Sequence, residues 1–600
     1  MKSIKSIFAV LFVVGLTTLT ACGAGKPEDA RAQMLALYGE NKQIAGAYDA
    51  DDATRCSNGV FVGRETDGVL AFKGIPYAVP PVGELRWKEP VPAPDSDAVY
   101  QAYYFGKSPI QTEWPSEPGS YYPQSEDCLT LNIWTNRSGP ADKKAVMVFF
   151  HGGSYGWGAA SDPMYDGQNL IRKYPDVVLV TVEFRLGLLG FIDFSSVPGG
   201  EDYAASGNLG LLDQVCALRW IQKNIASFGG DPDCVTIFGE SSGAGSVSLL
   251  PLMREADGLF RRVIAESGSV TLTYSREECR NLTKMLLEKS GCTTMDELTA
   301  LTEDELIELN EELNDYNNFP ERDGVILPED LYAAYQNGSA AKCEMLIGTN
   351  ADEVRYWIWE MGYYLHEAFG MTIYKHLIPV MYENNCMRMS ASEKAAAQTF
   401  LSMQDGQKIW RLTAFYTELL FRVPAMRQAQ LHAANGNAVY TYYWTMPGEN
   451  ETVGACHAVE LPYVFNNPQV TIYNGSLYNR TLADKVQDMW VQFARTGDPS
   501  TSEITWEPYT AQARSTLILG EEIRTETDVL REQRELVEPL LGHYFNGCYS
   551  QLDFMVPQVY KIGAQLFGTL VLTAAAVVGI VFACRRLRRR RNRCRAANDK

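Results

Sequence analysis

Four compact apolar runs place the strongest constraint on how this chain can fold, because each has the length and composition of a buried parallel strand. The runs are AVMVFF (145–150), VVLVTVEF (177–184), CVTIF (234–238) and EMLIGT (344–349). Longer stretches with helical spacing lie among them, and one such stretch (214–228) ends at Gly229-Gly230-Asp231-Pro232, a helix stop signal. Alternation of this kind predicts an α/β sandwich in which helices flank a central, mostly parallel sheet.

The body of the chain is predicted to be one large domain, although the chain has 600 residues. Length alone is a weak guide to domain number, and neither an internal repeat nor a linker interrupts residues 51–548. Residues 23–50 are predicted to be a polar tether with one short helix, and residues 549–561 a juxtamembrane linker.

The amino terminus has the layout of a secretory signal, which is predicted to cover residues 1–22. Lys2 and Lys5 precede an apolar run (7–16) that is too short for a comfortable transmembrane helix. The segment ends in Leu-Thr-Ala-Cys22, which resembles the lipobox of bacterial lipoproteins. Lipidation of Cys22 is therefore predicted, and ordinary signal cleavage nearby is the alternative.

A second membrane signal lies near the carboxyl terminus. Residues 562–584 carry no charge over 23 residues, and as a helix they would extend about 34 Å, enough to cross the hydrocarbon core. Eight arginines follow between Arg585 and Arg595, so the positive-inside rule places residues 585–600 in the cytoplasm. We expect a transmembrane helix at 562–584 that anchors an extracytoplasmic body to the cell membrane; the alternative is a buried helix of a soluble domain.

The body is strongly acidic, since removing the eight arginines of the tail from the net charge of −20 leaves about −28. Such a body repels nucleic acid, so no nucleic-acid partner is predicted. Solubility explains the charge, and attraction of cationic substrates is the alternative.

Thirteen cysteines occur without the CxxC spacing of metal sites. Cys279 and Cys292 are close in the sequence and are plausible disulfide partners, and Cys56 with Cys128 is a second hypothesis. The chain has no HExxH motif, P-loop or dinucleotide fingerprint, so neither a metal nor an organic cofactor is predicted.

The motif G-x-S-x-G occurs at residues 239–243, between the run CVTIF and AGSVSLL, a segment that can start a helix. A strand, this motif and a helix together form a nucleophile elbow, a tight turn that holds the serine oxygen clear of the sheet. Ser241 is therefore the predicted nucleophile.

A second G-x-S-x-G match (152–156) also follows a strand, and His151 precedes it. The resulting HGGS resembles an HGGG-type oxyanion loop, which supplies backbone N–H groups rather than a nucleophile. We predict that the N–H groups of Gly153, Ser154 and Ser242 form an oxyanion hole.

A serine nucleophile needs a base near neutral pH, and the order along the chain for this elbow is serine, carboxylate, histidine. His151 comes too early, and His432 stands near the end of a predicted helix, where a capping role is expected. His457 lies in a loop before an aromatic-rich segment and is the predicted base. On general grounds either Asp352 or Glu353, just beyond EMLIGT, is the acid that orients it.

These residues belong to longer motifs that resemble the type-B carboxylesterases, a family that also includes the cholinesterases, and in particular its bacterial para-nitrobenzyl-esterase-like members. The likeness runs from about Gly59 to Phe545 in correct order, through FKGIPYAVPPVGELRW (72–87), SEDCLTLNIW (125–134), HGGSYGWG (151–158), GNLGLLDQVCALRWIQKNIASFGGDP (207–232), FGESSGAGS (238–246), GTNADE (348–353) and CHAVELPYVF (456–465). It implies the α/β-hydrolase fold for residues 51–548 and a serine enzyme that hydrolyses carboxylic esters.

The resemblance also implies roles for individual residues. It places the catalytic acid at Glu353 and agrees with Ser241 and His457. It implies two buried ion pairs, Arg86 with Glu126 and Asp127 with Arg185. It also implies that the carboxylates of Asp213 and Asp231 have a structural role. The chain departs from the family at Ser242, where alanine is usual, and at Ser108, where a cysteine that partners the one at Cys128 is common.

Two questions stay open on the sequence alone. Some cholinesterase-like ectodomains on a membrane helix are adhesion proteins that have lost the serine. Here the three triad residues are present, which favours an enzyme. Its substrate is either a carboxylic ester or a related thioester or amide. The aromatic residues after the acid either line a substrate gorge or pack as ordinary side chains, and they are Tyr356, Trp357, Trp359, Tyr363 and Tyr364. The oligomeric state is not predicted.

Overall fold

A computed structural model describes residues 32, 34–112, 122–137, 141–313, 318–358, 367–450, 452–467 and 477–544. The predicted signal with Cys22, the linker (549–561), the membrane span (562–584) and the tail (585–600) lie outside these residues. Within the described residues, no helix is both long enough and apolar enough to cross a membrane.

Sixteen strands are present in the described part of the chain. They are β1 (Ala53–Cys56), β2 (Gly59–Val62), β3 (Arg64–Thr66), β4 (Val69–Pro76), β5 (Val99–Gln101), β6 (Thr130–Thr135), β7 (Lys144–Phe150), β8 (Val177–Val182), β9 (Gly230–Glu240), β10 (Arg262–Glu266), β11 (Tyr274–Ser275), β12 (Glu321–Arg322), β13 (Glu344–Asn350), β14 (Val439–Trp444), β15 (Ser515–Leu519) and β16 (Arg524–Thr527).

Eleven of these strands form one mixed sheet in the order β16-β15-β14-β13-β10-β9-β7-β8-β6-β4-β3. The seven strands from β15 to β8 run parallel to their neighbours, and the strands at both edges pair antiparallel. Two small sheets, β1-β2-β5 and β11-β12, lie outside it. All four apolar runs became parallel strands of the large sheet, as predicted.

Helices connect the strands and cover both faces of the sheet. The α-helices are α1 (Gln168–Lys173), α2 (Gly187–Gly190), α3 (Leu209–Asn224), α4 (Ser242–Leu249), α5 (Arg276–Ser290), α6 (Met295–Thr299), α7 (Glu303–Leu313), α8 (Leu331–Gln336), α9 (Glu367–Arg388), α10 (Ala391–Met403), α11 (Lys408–Thr417), α12 (Val423–Ala434), α13 (Leu461–Phe465), α14 (Arg480–Thr496), α15 (Arg531–Val537) and α16 (Leu541–Tyr544). A π-helical segment (Glu418–Arg422) joins α11 to α12.

The two faces of the sheet bury separate hydrophobic cores, because successive side chains of a strand point to opposite faces. In β7, Val146 and Val148 pack in one core together with Leu218 of α3. Met147 and Phe149 pack in the other core together with Trp490 of α14. Helices on both faces of a mostly parallel sheet confirm the predicted α/β sandwich.

The described part of the predicted tether packs against the domain. Met34 is buried against Tyr122 and Ala159, and the side chain of Asn41 donates to the carbonyls of Lys73 and Tyr104 at 2.9 and 2.8 Å. The tether prediction was therefore wrong from residue 34 onward. The segment is polar overall, but these side chains, together with backbone hydrogen bonds between Ile44 and Val99 and between Gln101 and Lys42, hold it on the domain.

Both disulfide hypotheses are wrong, because every cysteine among the described residues is a free thiol. Cys279 lies in the first turn of α5 and Cys292 lies beyond its end, so about 16 Å of helix separates them, whereas a disulfide requires Cα atoms within about 7 Å. Cys56 and Cys128 are buried in the first core, where each packs as a small apolar side chain.

One of the two predicted ion pairs is correct. Arg86 and Glu126 form a buried bidentate pair, with Nε–Oε1 and Nη2–Oε2 distances of 2.6 and 2.7 Å. Arg185 pairs with Asp213 instead of Asp127, through Nε–Oδ2 and Nη2–Oδ1 distances of 2.8 and 2.7 Å. Asp213 reaches Arg185 from α3, which packs directly on the sheet, whereas Asp127 is exposed.

Candidate active site

The predicted nucleophile lies on the turn between β9 and α4. Ser241 has φ 57° and ψ −121°, a strained conformation that is held from both sides. Its N–H donates to the carbonyl of Glu266 at 2.8 Å, and its carbonyl accepts from the N–H of Gly245 at 2.9 Å. The side chain is only half-buried, so the hydroxyl is accessible at the end of an otherwise buried strand.

The two glycines of the motif allow α4 to approach the sheet. A Cβ at Gly243 would lie 2.0 Å from the carbonyl oxygen of Phe150 in β7, and a Cβ at Gly239 would lie 2.6 Å from the backbone of Gly243. Any side chain at either position would push the helix away and open the turn. The close approach is therefore what makes this motif a nucleophile elbow.

The second G-x-S-x-G match is a loop that lies against this elbow. A Cβ at Gly152 would lie 3.1 Å from Cβ of Ser241, so the two segments touch. Gly153 and Ser154 have φ values of +110° and +53°, which turn the backbone sharply at this point. Within the described residues, the N–H groups of Gly153, Ser154 and Ser242 donate to no other protein group.

The predicted base and acid are in direct contact. Nδ1–H of His457 donates to Oε2 of Glu353 at 2.7 Å, and the His457 backbone N–H also donates to the Glu353 carbonyl at 3.2 Å. The other carboxylate oxygen, Oε1, accepts from the N–H of Asn350 at 2.8 Å, and Glu353 is fully buried. These contacts hold the imidazole in the tautomer that leaves Nε2 free to accept a proton.

The neighbouring carboxylate points elsewhere, so the geometry agrees with the assignment of Glu353 that the resemblance implies. Asp352 pairs with Arg355 at 2.9 Å and accepts from the N–H of Ala455 at 3.0 Å. His432 is also occupied: its Nε2–H donates to the carbonyl of Cys343 at 2.9 Å, so it does not cap its own helix. Among these groups, the structure brings only Glu353 to His457.

The second ring nitrogen of His457 faces a carboxylate that sequence reasoning missed. Nε2 lies 3.1 Å from Oε1 of Glu240, the variable residue of the elbow motif. No hydrogen bond joins Nε2 to the Ser241 hydroxyl among the described residues. Catalytic hydrogen bonds are often long in substrate-free enzymes and tighten when substrate binds.

Aromatic side chains surround the remaining faces of His457. Trp357 stacks on the imidazole with ring centroids 5.5 Å apart and an interplanar angle of 22°, and Phe421 approaches to 4.9 Å. Tyr356 packs edge-on at 5.9 Å. The two described members of the predicted aromatic set therefore hold the base, whereas Trp359, Tyr363 and Tyr364 lie outside the described residues. Phe421 comes from the π-helical segment and carries no local sequence signal.

Two further buried carboxyls lie beneath the base. Oε1 of Glu460 accepts from the Ser267 hydroxyl at 3.2 Å, and Oε1 of Glu266 accepts from the indole N–H of Trp490 at 2.6 Å. Burial, reinforced by the charge of Glu353, raises the pKa of Glu460 to about 7. Burial, reinforced by the charge of Glu460, raises the pKa of Glu266 well above its usual range.

Three of the carboxyls near His457, those of Glu240, Glu353 and Glu460, act on its charge. Burial lowers the pKa of His457, but the charge of Glu240, the hydrogen bond and charge of Glu353 and the charge of Glu460 outweigh that effect and raise it to about 9. The imidazolium is thus stabilised by carboxylates on two sides. A serine on a strained turn, a buried histidine–carboxylate pair and unpartnered N–H groups nearby are the parts needed for acyl transfer.

Comparison with known proteins identifies the family of the chain. The sequence profile of the carboxylesterase family matches residues 52–536. Para-nitrobenzyl esterase of Bacillus subtilis is 34% identical over 497 residues, which cover 80% of this chain and 97% of that protein. Mouse (Mus musculus) neuroligin-2 is 30% identical over 534 residues, which cover 75% of this chain and 62% of the relative.

A solved structure shows the same architecture. Carboxylesterase EST55 of Geobacillus stearothermophilus superposes with a TM-score of 0.71 at 33% identity, and the match covers 81% of this chain and 99% of that one. The shared architecture is the α/β-hydrolase fold, with its large mixed sheet flanked by helices. The chain is therefore a type-B member of the carboxylesterase family.

Proposed function

We propose that the chain hydrolyses carboxylic esters through Ser241, His457 and Glu353 by way of an acyl-enzyme intermediate. The observation that carries this proposal is the buried contact between His457 and Glu353, 2.7 Å long, on a histidine that lies beside the elbow of Ser241. Near neutral pH a serine hydroxyl is a weak nucleophile unless such a base removes its proton.

In the proposed mechanism, Nε2 of His457 accepts the proton of the Ser241 hydroxyl as Oγ attacks the ester carbonyl. The N–H groups of Gly153, Ser154 and Ser242 stabilise the oxyanion of the tetrahedral intermediate. The imidazolium then protonates the leaving alcohol, and the acyl group stays on Ser241. Water attacks the acyl-enzyme with His457 again as base, and the carboxylic acid leaves.

The test of this function is hydrolysis of p-nitrophenyl acetate and butyrate by the soluble body, beginning at residue 34 so that the buried amino-terminal segment is kept. We expect a burst of p-nitrophenol that is stoichiometric with enzyme if deacylation limits the rate. We also expect inactivation by a fluorophosphonate, with the label found on the peptide containing Ser241. A folded protein that neither hydrolyses these esters nor reacts with the fluorophosphonate would contradict the proposal.

The alternative function is adhesion, as a catalytically silent ectodomain. The similarity to neuroligin-2 makes this alternative specific, but nothing in the site favours it, because all three catalytic groups are present. An inactive body with normal stability would make it the first choice.

The rate is expected to depend on the charges around the base. Because only neutral His457 can accept a proton and its pKa is about 9, kcat/KM is expected to rise with pH up to about pH 9. Replacing Glu240 by glutamine removes one negative charge beside the imidazolium, which lowers the pKa of His457 and moves this rise to lower pH. The measurement is a pH profile of kcat/KM for each variant.

Glu266→Gln is the matched control for this profile. Burial favours the neutral form of the Glu266 carboxyl, and Glu266 is not among the groups that shift the pKa of His457. A glutamine oxygen can still accept from the Trp490 indole, so the rise of kcat/KM with pH is expected to stay in place. If the pH profile of kcat/KM is the same in Glu240→Gln and in the wild type, the charge of Glu240 does not control the pKa of His457.

We propose that this enzyme is membrane-anchored, with its body outside the cytoplasm. The support is in the sequence: a signal segment that ends at Cys22, and a charge-free stretch (562–584) followed by an arginine-rich tail. Cell fractionation of the full chain, of a chain ending at residue 561 and of that shorter chain with Cys22→Ala measures each anchor. We expect release from membranes only for the shorter chain with Cys22→Ala. A full chain found in the soluble fraction would contradict the proposal.

A further inference from the structure

Behind the loop that follows β7, two buried titratable side chains face each other and take no part in the mechanism above. His151 and Glu183 are each 1% exposed. The imidazole of His151 stacks on Phe184, with ring centroids 4.7 Å apart and an interplanar angle of 23°. The loop closes over this ring at Gly158, where a Cβ would lie 2.6 Å from Nδ1 of His151.

The orientation of His151 is determined by its contact with the loop. Nδ1 lies 2.8 Å from the carbonyl oxygen of Gly152, and since a carbonyl only accepts, Nδ1 must carry the hydrogen. Burial lowers the pKa of His151 to about 4, so the ring is neutral near neutral pH. Nε2 therefore presents a lone pair on the side of the ring that faces Glu183.

Glu183 is equipped to donate to that lone pair. Its Oε1 accepts from the N–H of Ala160 at 2.8 Å, whereas Oε2 lies 3.8 Å from Nε2 of His151. Neither Oε2 nor Nε2 makes a hydrogen bond to any other described group. Burial raises the pKa of Glu183 well above its usual range and outweighs the backbone N–H groups of Ala160 and Ser161, which lower it, so burial favours the protonated carboxyl. An approach of about 1 Å brings Oε2 to hydrogen-bond distance of Nε2.

We propose that Glu183 and His151 are positioning residues that aim the N–H of Gly153 at the reacting carbonyl. The carbonyl of Gly152 and the N–H of Gly153 belong to one planar trans peptide and point in opposite directions. A hydrogen bond that holds the carbonyl therefore also holds the N–H. The bond from Nδ1 polarises the same peptide, which makes the N–H a better donor to a developing negative charge.

This inference rests on the proposed function, but it concerns different atoms. Neither His151 nor Glu183 belongs to the triad, so their replacement leaves the nucleophile and the base in place. Loss of the positioning contacts is expected to weaken binding of the transition state, which carries an oxyanion, more than binding of the ester substrate. A side chain that only supported the fold would affect both together.

The experiment compares Glu183→Gln with Glu183→Met in the full body of the enzyme. Glutamine can accept from Ala160 and donate to His151, so we expect it to retain most of the activity. Methionine has a similar size but can do neither, so we expect kcat to fall about 10- to 100-fold with KM within a factor of two. The inhibition constant of a trifluoromethyl ketone, which binds Ser241 as a hemiketal oxyanion, is expected to rise by the same factor.

His151→Asn is the second variant, in case Glu183→Met does not fold. The asparagine amide can take the place of Nδ1 and donate to Gly152, but it cannot reach Glu183, so a smaller fall in kcat with the same rise in the inhibition constant is expected. The proposal is overturned if folded Glu183→Met or His151→Asn keeps the wild-type kcat and inhibition constant. It is also overturned if Glu183→Gln loses as much activity as Glu183→Met.

The activity of the wild-type enzyme distinguishes failure of the positioning role from failure of the proposed function. If the wild type hydrolyses p-nitrophenyl esters and the Glu183 variants behave like it, the positioning role alone fails. If the wild type hydrolyses no ester, the proposed function fails first.

Discussion

Replacement of Ser241 by alanine is expected to lower kcat for p-nitrophenyl butyrate by about 10⁴-fold or more. The reason is that Oγ forms the covalent bond to the acyl group, and no other hydroxyl on this turn stands clear of the sheet. The neighbouring Ser242 is the first residue of α4 and is buried. Circular dichroism and the thermal transition of the variant show whether the fold is intact.

The sequence supplies a matched control, because Ser154 is the serine of the second G-x-S-x-G match. Ser154→Ala removes a hydroxyl but keeps the backbone N–H, so the variant is expected to retain most of its activity. Comparable losses in Ser154→Ala and Ser241→Ala, or equal activity in Ser241→Ala and the wild type, would show that the nucleophile has been assigned to the wrong residue.

Glu353→Gln is expected to lower kcat by about 10⁴-fold, a loss of the size seen when the acid of a serine triad becomes an amide. The carboxylate accepts from Nδ1–H of His457 at 2.7 Å, whereas an amide nitrogen placed there would donate to Nδ1. The ring would then carry its hydrogen on Nε2, where it cannot accept the proton of Ser241. The measurement is kcat over a range of pH, so that a shift in the pKa of His457 is distinguished from loss of its function as the base.

Asp352→Asn is the control for this variant, since the two carboxylates are adjacent and only one reaches the base. Asp352 contacts Arg355 and the N–H of Ala455, so its replacement is expected to cost stability and to leave most of the activity. A larger loss of kcat in Asp352→Asn than in Glu353→Gln would mean that the acid has been misassigned.

The strands of the central sheet could be predicted because their signal is local. AVMVFF and CVTIF are short, apolar and continuous, which is what burial on both faces of a parallel sheet requires. The prediction failed at residues 34–50, which dock on the domain through a few side chains and through backbone hydrogen bonds to β5. Average polarity does not reveal whether single groups such as Met34 and Asn41 find partners on the domain.

The residues of the triad were also within reach of the sequence, but their surroundings were not. Glu240 stands at the variable position of the elbow motif, and only the geometry shows that it faces His457. Phe421 reaches the same ring from the π-helical segment between α11 and α12. Neither position carries a pattern that marks it, because contact with His457 depends on how distant segments pack.

The sequence by itself determined the alternation of strands and helices, the strained turn at Ser241, and the order in which nucleophile, acid and base follow one another. Each of these depends on the spacing of residues within a short segment. Only the tertiary structure decided that Glu240 faces His457, and that Arg185 pairs with Asp213 rather than Asp127. A carboxylate has the same sequence signal wherever it stands in the chain, and packing alone selects which carboxylate meets a distant partner.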